Sequence, residues 1–334
     1  MEVRKLIDAE SEAREPDAGV NGPCPTQVVG DSIPVRQNSR WSTGLLAAQR
    51  QRYLEAKKWR SLRFWAVAVA AVLGLSATAF APSLLIPIGP IGAIVGAVQW
   101  LAGFLERRHI QAGANIQEQF DTSVYPLEWN PLLGEKIDAE DIAAAAKRFR
   151  GDRGLLANWY AVPDGIRWPL DVLICQRSNL RWDSALRHAY SNTILLGLVT
   201  LALSTVVVGI AKDLSLEEFV LALLPSTGAF IFGIEAVCSH RQHAASQREL
   251  KRHIETAWLD AIQRLQTTPD GNLRAIQDRI HHLRTTAPLV PEWFYWRRRD
   301  DYEQQMRFAV ERMARDAATC GGREHEEAST GGPP

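Results

Sequence analysis

Four long apolar runs limit what this chain can fold into. They extend over residues 64–81, 84–105, 191–211 and 219–237, and the only charged residue within them is Glu235. A helix of about 20 residues spans the hydrocarbon core of a bilayer. Only a helix or a closed barrel satisfies the backbone polar groups in lipid. We therefore predict an all-α integral membrane protein with four transmembrane helices.

The connectors between these runs are short, and they predict two hairpins. Residues 81–83 join the first pair and residues 212–218 join the second pair. Pro87, Gly89 and Pro90 leave the position of the first turn open. Basic residues lie before the third run and after the fourth, and the positive-inside bias assigns these ends to the cytosol. Both termini are therefore predicted to be cytoplasmic, in a multi-pass protein of the plasma membrane.

The runs also define the predicted domains. A basic helix is expected from Ser42 or Thr43 to Arg63, after an extended segment over residues 33–38. The full division is a disordered N-terminal tail (1–32), a cytosolic basic helix (33–63), transmembrane hairpin 1 (64–105), a central cytosolic helical domain with a coupling helix (106–190), transmembrane hairpin 2 (191–238), C-terminal cytosolic helices (239–318) and a disordered tail (319–334).

Composition argues against several functions. The chain has 38 basic and 38 acidic residues, so no overall positive field indicates DNA binding. The four cysteines have no C-x-x-C spacing, which predicts neither a zinc site nor a disulfide framework. Glu235, His240 and His243 lack a recognised ligand spacing, so no metal site is predicted. No nucleophile motif or glycine-rich phosphate loop is present, and we predict that the protein is not an enzyme.

Several polar and small residues near the apolar runs leave alternatives open. Glu235 is either functional, as ionisable residues in membranes often are, or it reaches water or Arg241 at the cytosolic end. Gln99 is expected to make interhelical hydrogen bonds. Gly92 and Gly96 form a G-x-x-x-G pair, which indicates packing within the hairpin, a subunit contact or a pore lining.

Residues 293–299 combine four aromatic side chains with three arginines. An interfacial aromatic anchor or a small packed cluster is the ordinary interpretation of such a segment. Stacking on nucleic acid bases is the other interpretation.

A polar stretch over residues 168–183 leads directly into the third apolar run. As a helix it places Gln176, Asn179 and Asp183 on one face, with Arg187 one turn beyond Asp183 and able to pair with it. Such a stretch is either a coupling element that transmits a cytosolic event to the membrane, or a juxtamembrane helix whose charges are solvated or paired.

The order of motifs around the two hairpins resembles a known family. The motifs are IPVRQN at 33–38, LLAAQR at 45–50, the segment 120–130 and, most specifically, LICQRSNLRWD at 173–183. Over residues 33–296 the chain resembles the SMODS-associating four-transmembrane effector family of bacterial antiviral cyclic-oligonucleotide signalling systems.

The resemblance implies a membrane effector of antiphage defence. A partner nucleotidyltransferase would sense phage and make a cyclic oligonucleotide, and the effector would then disrupt the inner membrane and cause abortive infection. The implied partners are this nucleotidyltransferase, the lipid bilayer and further copies of the chain as a homo-oligomer, with no cofactor and no DNA. A constitutive channel or transporter is the alternative, followed by a membrane-anchored enzyme.

The chemistry of a phosphate-rich ligand selects candidate binding residues. Forked cations suit phosphates, and amide or flat side chains suit bases. The two most distinctive motifs supply the predicted nucleotide-binding residues Arg36, Gln37, Asn38, Arg177, Asn179 and Trp182. The predicted coupling residues are Gln176, Asp183 and Arg187.

Overall fold

A computed structural model describes residues 32–80, 85–166, 168–264 and 270–330 of the chain. All regular secondary structure in these residues is helical. The side chains of Arg181 and Trp182 lie outside the described part, as do the predicted tail over residues 1–31, most of the first connector and the turn before Asp270.

Four long helices form the frame of the molecule. They are α2 (Arg40–Phe80), α3 (Leu85–Val124), α5 (Leu170–Ala211) and α6 (Leu216–Arg264). Helices α2 and α3 pack against each other, as do α5 and α6, in the order expected of two hairpins. At about 1.5 Å per residue, each helix is roughly twice as long as a bilayer core is thick. Each apolar segment therefore continues without a break into a polar segment.

The remaining helices are shorter or lie outside this frame. They are α1 (Ile33–Gln37), α4 (Ala139–Arg148), α7 (Asp270–Thr285) and α8 (Glu292–Thr330), with 3-10 turns at Pro131–Leu133 and Gly154–Leu156. Helix α7 packs against α6.

One prediction about local structure is wrong. The segment 33–38 is not extended, because α1 occupies Ile33–Gln37 with Pro34 in its first turn. Proline suits that position, since its fixed φ is helical and its missing N–H has no partner there in any helix. The last described turns of α8, up to Thr330, lie within the segment predicted as a disordered tail.

The charged residues 106–109 predict an end of the apolar helix, a new helix over residues 110–120 and an irregular segment over 121–130. Instead, α3 runs unbroken to Val124, and the irregular segment begins only after it. The sequence also predicts a helix over residues 139–150 capped by Asp138; α4 begins after Asp138, although this side chain makes no capping hydrogen bond.

The main hydrophobic core lies in the polar halves of the long helices. Its largest fully buried members include Ile33, Leu46, Phe120, Ile174 and Ile254, from α1, α2, α3, α5 and α6. These side chains bury against residues distant in sequence, so the core needs all five helices. We call this part, with α4 and α7, the helical body.

The apolar halves have the opposite character, because large side chains point outward. Trp65, Trp100, Leu196 and Ile231 are 62%, 74%, 67% and 63% exposed, one on each long helix. By length and composition, Arg40–Ala77 and Leu170–Ala211 are candidate membrane spans among the described residues. Apolar surface of this extent is unfavourable in water and indicates contact with lipid.

The first hairpin contains the interhelical hydrogen bond predicted for Gln99. Its Nε2 donates to the carbonyl oxygen of Arg63 at 2.7 Å, and Nε of Arg63 donates to Gln99 Oε1 at 3.1 Å. Nη1 of Arg63 also lies 2.7 Å from Oε2 of Glu106. These contacts fix α2 and α3 to each other at the end of the apolar segment.

Candidate coupling site

Two fully buried carboxylates lie at the centre of the helical body. Glu118 and Asp121 are one turn apart on α3. A buried carboxylate is costly unless cations and hydrogen-bond donors surround it. Helix α7 supplies the cations: Arg284 Nη1 lies 2.5 Å from Asp121 Oδ2, and Arg274 Nη2 lies 2.5 Å from Glu118 Oε1. Gln277 Nε2 donates to both carboxylates, at 2.8 and 2.9 Å.

Tyr160 connects these carboxylates to two other parts of the chain. Its hydroxyl donates to Asp121 Oδ1 at 2.6 Å and accepts from Asn179 Nδ2 on α5 at 3.1 Å. Its backbone is held from both sides by Gln37, whose Oε1 accepts from the Tyr160 N–H at 2.8 Å and whose Nε2 donates to the Tyr160 carbonyl at 3.2 Å. Helices α1, α3 and α5 therefore meet at one tyrosine.

Gln176 brings the coupling helix into the same set of contacts. Its Nε2 donates to the Leu273 carbonyl at 3.1 Å and to Gln277 Oε1 at 3.3 Å, and the side chain is fully buried. We call the connected side chains the polar cluster: Glu118, Asp121, Tyr160, Gln176, Asn179, Arg274, Gln277 and Arg284.

The electrostatics of the polar cluster fix the charge states of Tyr160 and Arg284. Burial raises the pKa of Glu118, the Asp121 carboxylate raises it further, and the arginines oppose this increase. Burial lowers the pKa of Arg284, but Asp121 and Tyr160 outweigh it, so the pKa of Arg284 lies above its usual range. Burial also raises the pKa of Tyr160 well above its usual value. Tyr160 is therefore a neutral hydrogen-bond donor, and Arg284 is a permanent cation.

The structure brings together two of the predicted nucleotide-binding residues, Gln37 and Asn179, which meet at Tyr160. Arg36 Nε donates to the Val124 carbonyl at 2.8 Å. Asn38 exchanges hydrogen bonds with Asn158, donating at 2.8 Å and accepting at 2.9 Å. The IPVRQN motif thus holds the end of α3 and the loop before Tyr160.

Arg177 faces a different helix from Gln176. Its Nε and Nη2 lie 3.0 and 2.8 Å from Glu255 Oε1 on α6. Lys251 Nζ also lies 3.0 Å from this oxygen. The predicted binding residues with described side chains are therefore divided between the Tyr160 region and the contact of α5 with α6.

A second group of polar contacts lies closer to the apolar half of α5. The predicted pair is confirmed: Arg187 Nε donates to Asp183 Oδ2 at 2.7 Å. Gln247 Nε2 on α6 donates to the same oxygen at 2.6 Å, and Arg187 Nη1 donates to the Pro288 carbonyl at 2.5 Å. This group joins α5, α6 and the segment before α8.

Buried histidines lie beside these contacts. His240 is fully buried against the Tyr190 ring, at a centroid distance of 5.0 Å. Burial, followed by the charge of Arg187, lowers the pKa of His243 to about 4. Burial, followed by the charge of Arg284, lowers the pKa of His281 to about 4, and His281 Nε2 donates to Asn115 Oδ1 at 2.9 Å. These side chains are therefore neutral near pH 7.

The Glu235 side chain is exposed, and Arg241 donates to Asn192 Oδ1 at 3.2 Å. Within the described residues, no three or more His, Cys, Asp or Glu side chains are grouped to hold a metal ion.

Sequence reasoning missed most of the polar cluster, although a signal was present. Glu118 and Asp121 are spaced i, i+3 on one face of α3, and Arg274, Gln277 and Arg284 recur on one face of α7. Two polar stripes of opposite charge predict a helix contact. The local sequence does not show which acidic stripe packs against which basic stripe.

Together these observations define a helical membrane protein whose long helices connect a buried polar cluster to exposed apolar segments. The chain belongs to the family of the SMODS-associating 4TM effector domain, whose family model matches residues 31–313. It is also 28% identical, over 291 residues, to a probable CBASS effector molecule of Bacillus cereus (strain VD146). That alignment covers 81% of this chain and 94% of the relative. No solved structure matches the chain significantly.

Replacing Asp121 by Asn tests the polar cluster. The substitution keeps an acceptor for Tyr160 but leaves Arg284 buried beside a neutral group. We expect the free energy of unfolding to fall by about 3–5 kcal/mol, as is usual when a buried ion pair is broken. Denaturant titration in mild detergent measures it. The exposed Glu249→Gln is the control, with an expected change within about 0.5 kcal/mol. Equal effects of the two variants would contradict a central role for Asp121.

The histidines predict a loss of stability in acid. Their folded pKa values lie below the unfolded value of about 6.5, so between about pH 6.5 and 4 the unfolded chain binds more protons. Their contribution is complete above pH 6.5 and is lost as the pH falls toward 4, by up to about 1.4 kcal/mol per pH unit for each histidine. Thermal unfolding at pH 7.5 and 5.5 should show a smaller acid effect in His243→Gln/His281→Gln than in the wild type. The exposed His253→Gln should behave as the wild type, and an unchanged acid effect in the double variant would refute the assignment.

Proposed function

We propose that this protein is the membrane effector of a bacterial antiphage system. A cyclic oligonucleotide from a partner nucleotidyltransferase binds the helical body, and the effector then oligomerises and disrupts the inner membrane. Family membership and the CBASS effector name of the Bacillus cereus relative support the defence role. The observation that carries the mechanism is the continuity of α2, α3, α5 and α6 from the helical body into the exposed apolar segments.

Four transmembrane spans, arranged as two hairpins, are the topology that fits this architecture best. Each of the four long helices exposes large apolar side chains in its apolar half. The family description as a 4TM domain agrees with this number. With both termini cytoplasmic, the helical body faces the compartment in which the nucleotide is made.

Arg177 is the binding residue whose present contact suggests a switching step. It holds Glu255 through two nitrogens, and an anionic phosphate competes for the same guanidinium. Exchanging Glu255 for a phosphate removes a contact of α5 with α6. A ligand that binds only this second arrangement shifts the population toward it, and both helices lead directly into predicted spans. Arg36, Gln37, Asn38, Asn179 and Trp182 are the further proposed ligand contacts.

Oligomerisation provides the path for water and ions. The predicted spans carry few polar side chains, so several copies are needed to line a polar passage. Gly92 and Gly96 support a contact between copies, since a Cβ built on either glycine meets no described atom within 4 Å. Such open small residues allow another helix to approach closely.

Release of dye from liposomes containing the purified protein tests this function. We expect release only with one member of a panel of cyclic di- and trinucleotides, and crosslinked multimers in the leaking state. Release without any nucleotide would instead favour a constitutive channel. No release with any nucleotide, or monomers only during leakage, would overturn the proposed mechanism.

The Arg177–Glu255 pair offers matched variants for the same assay. Arg177→Gln and Glu255→Gln break the same ion pair, but only the first removes a cation from the proposed site. We expect Arg177→Gln to abolish the nucleotide response, and Glu255→Gln to respond at a lower nucleotide concentration because Arg177 is released. Insertion into liposomes, measured by flotation, should be unchanged in both. Equal loss in both variants would assign Arg177 a purely structural role.

A further inference from the structure

The first turns of α8 lie at the level where two other helices enter their apolar segments. Phe294 is buried against Leu186 on α5, and its ring centroid is 5.1 Å from that of Tyr190. Tyr190 directly precedes the third apolar run. On the other side, Lys57 of α2 pairs with Glu292, and its Nζ lies 5.6 Å from the centre of the Tyr295 ring. Lys57 is seven residues, or about 10 Å of helix, before the apolar run at residue 64.

Helix α8 runs away from this level into the helical body. Phe294 belongs to a small separate cluster with Leu186 and Val290, whereas Val310 and Met313 belong to the main core. Two independent contacts at one end and the core contacts at the other therefore orient the helix. The start of α8 is its membrane-proximal end.

The outer face of this end combines exposed indole rings with exposed cations. Trp293 and Trp296 are 61% and 43% exposed, and Arg297 and Arg298 are also exposed. Trp293, Trp296 and Arg297 share one face at i, i+3 and i+4. The buried face is occupied by Phe294. The Trp293 ring packs edge-on against Phe294 at 5.5 Å, and Trp296 Nε1 donates to Glu292 Oε2 at 2.9 Å, so both rings are held in place while their outer surfaces stay exposed.

We propose that residues 293–298 form an interfacial anchor that binds the anionic headgroups of bilayer phospholipids. Indole rings are favourable at the boundary between acyl chains and headgroups because they have an apolar body and one N–H donor. Guanidinium groups one turn away match phosphate oxygens by charge and by geometry. Charge complementarity thus selects anionic over zwitterionic lipid. The anchor fixes the depth of the α5–α8 contact and does not involve the nucleotide.

Quenching of tryptophan fluorescence by brominated phospholipids tests this inference. The full-length protein is reconstituted in phosphatidylcholine bilayers containing brominated phosphatidylglycerol or brominated phosphatidylcholine. The signal of interest is the difference in tryptophan fluorescence between each protein and its Trp293→Phe/Trp296→Phe derivative. The fluorescence of the other tryptophans cancels in this difference. We expect this difference signal to be quenched. The relative binding constant should favour phosphatidylglycerol over phosphatidylcholine by about tenfold.

Charge variants on the same helix provide the matched comparison. Arg297→Gln/Arg298→Gln should bring the relative binding constant to about one while the rings stay quenched by either lipid. Arg312→Gln/Arg315→Gln removes two exposed arginines roughly 22 Å further along α8 and should keep the preference. A difference signal that neither lipid quenches would overturn the anchor. Equal quenching of the wild type by both lipids, or loss of preference in the control variant, would overturn the assignment to anionic headgroups. Because no nucleotide is present, these outcomes leave the proposed trigger untouched.

Discussion

The contact between Asp121 and Arg284 is the constraint on which the rest of the helical body depends. Asp121 is fully buried and the Arg284 side chain is only 12% exposed, so separating α3 from α7 leaves two poorly compensated charges. Tyr160 binds the other oxygen of Asp121 and extends the constraint to α1 and α5. Gln176 and Gln277 join the coupling helix to the same place. Helices α3 and α5 continue from this place into the exposed apolar segments.

The contacts of the predicted binding residues bear on how a ligand would act. Arg36, Gln37, Asn38, Arg177 and Asn179 all have partners within the chain. A ligand at these positions therefore exchanges contacts instead of filling a preformed site. The free energy by which the ligand shifts the equilibrium between the two arrangements equals the difference in its binding free energy for them. A ligand that binds both arrangements equally shifts nothing.

The elements predicted from sequence are those whose signal is local. The apolar runs, the hairpin order, an interhelical hydrogen bond of Gln99 and the pair of Asp183 with Arg187 involve neighbours along one helix or across a short turn. The wrong prediction for residues 33–38 is local too, but it concerns competing signals, since Pro34 permits a helix start as well as an extended segment. Gln247 and the Pro288 carbonyl, which complete the surroundings of Asp183 and Arg187, could not be predicted, since they lie on other elements.

The sequence by itself determined the helical class, the four apolar segments, their basic flanks and the motifs that identify the family. These follow from hydropathy, charge and spacing, which are properties of short stretches of sequence. Only the tertiary structure decided that Glu118 and Asp121 meet Arg274 and Arg284, that Tyr160 lies between Gln37 and Asn179, and that α8 starts beside Lys57 and Tyr190. Asp121 and Arg284 are 163 residues apart. A buried charge requires a partner of opposite sign, but the packing of the whole body selects which one it meets.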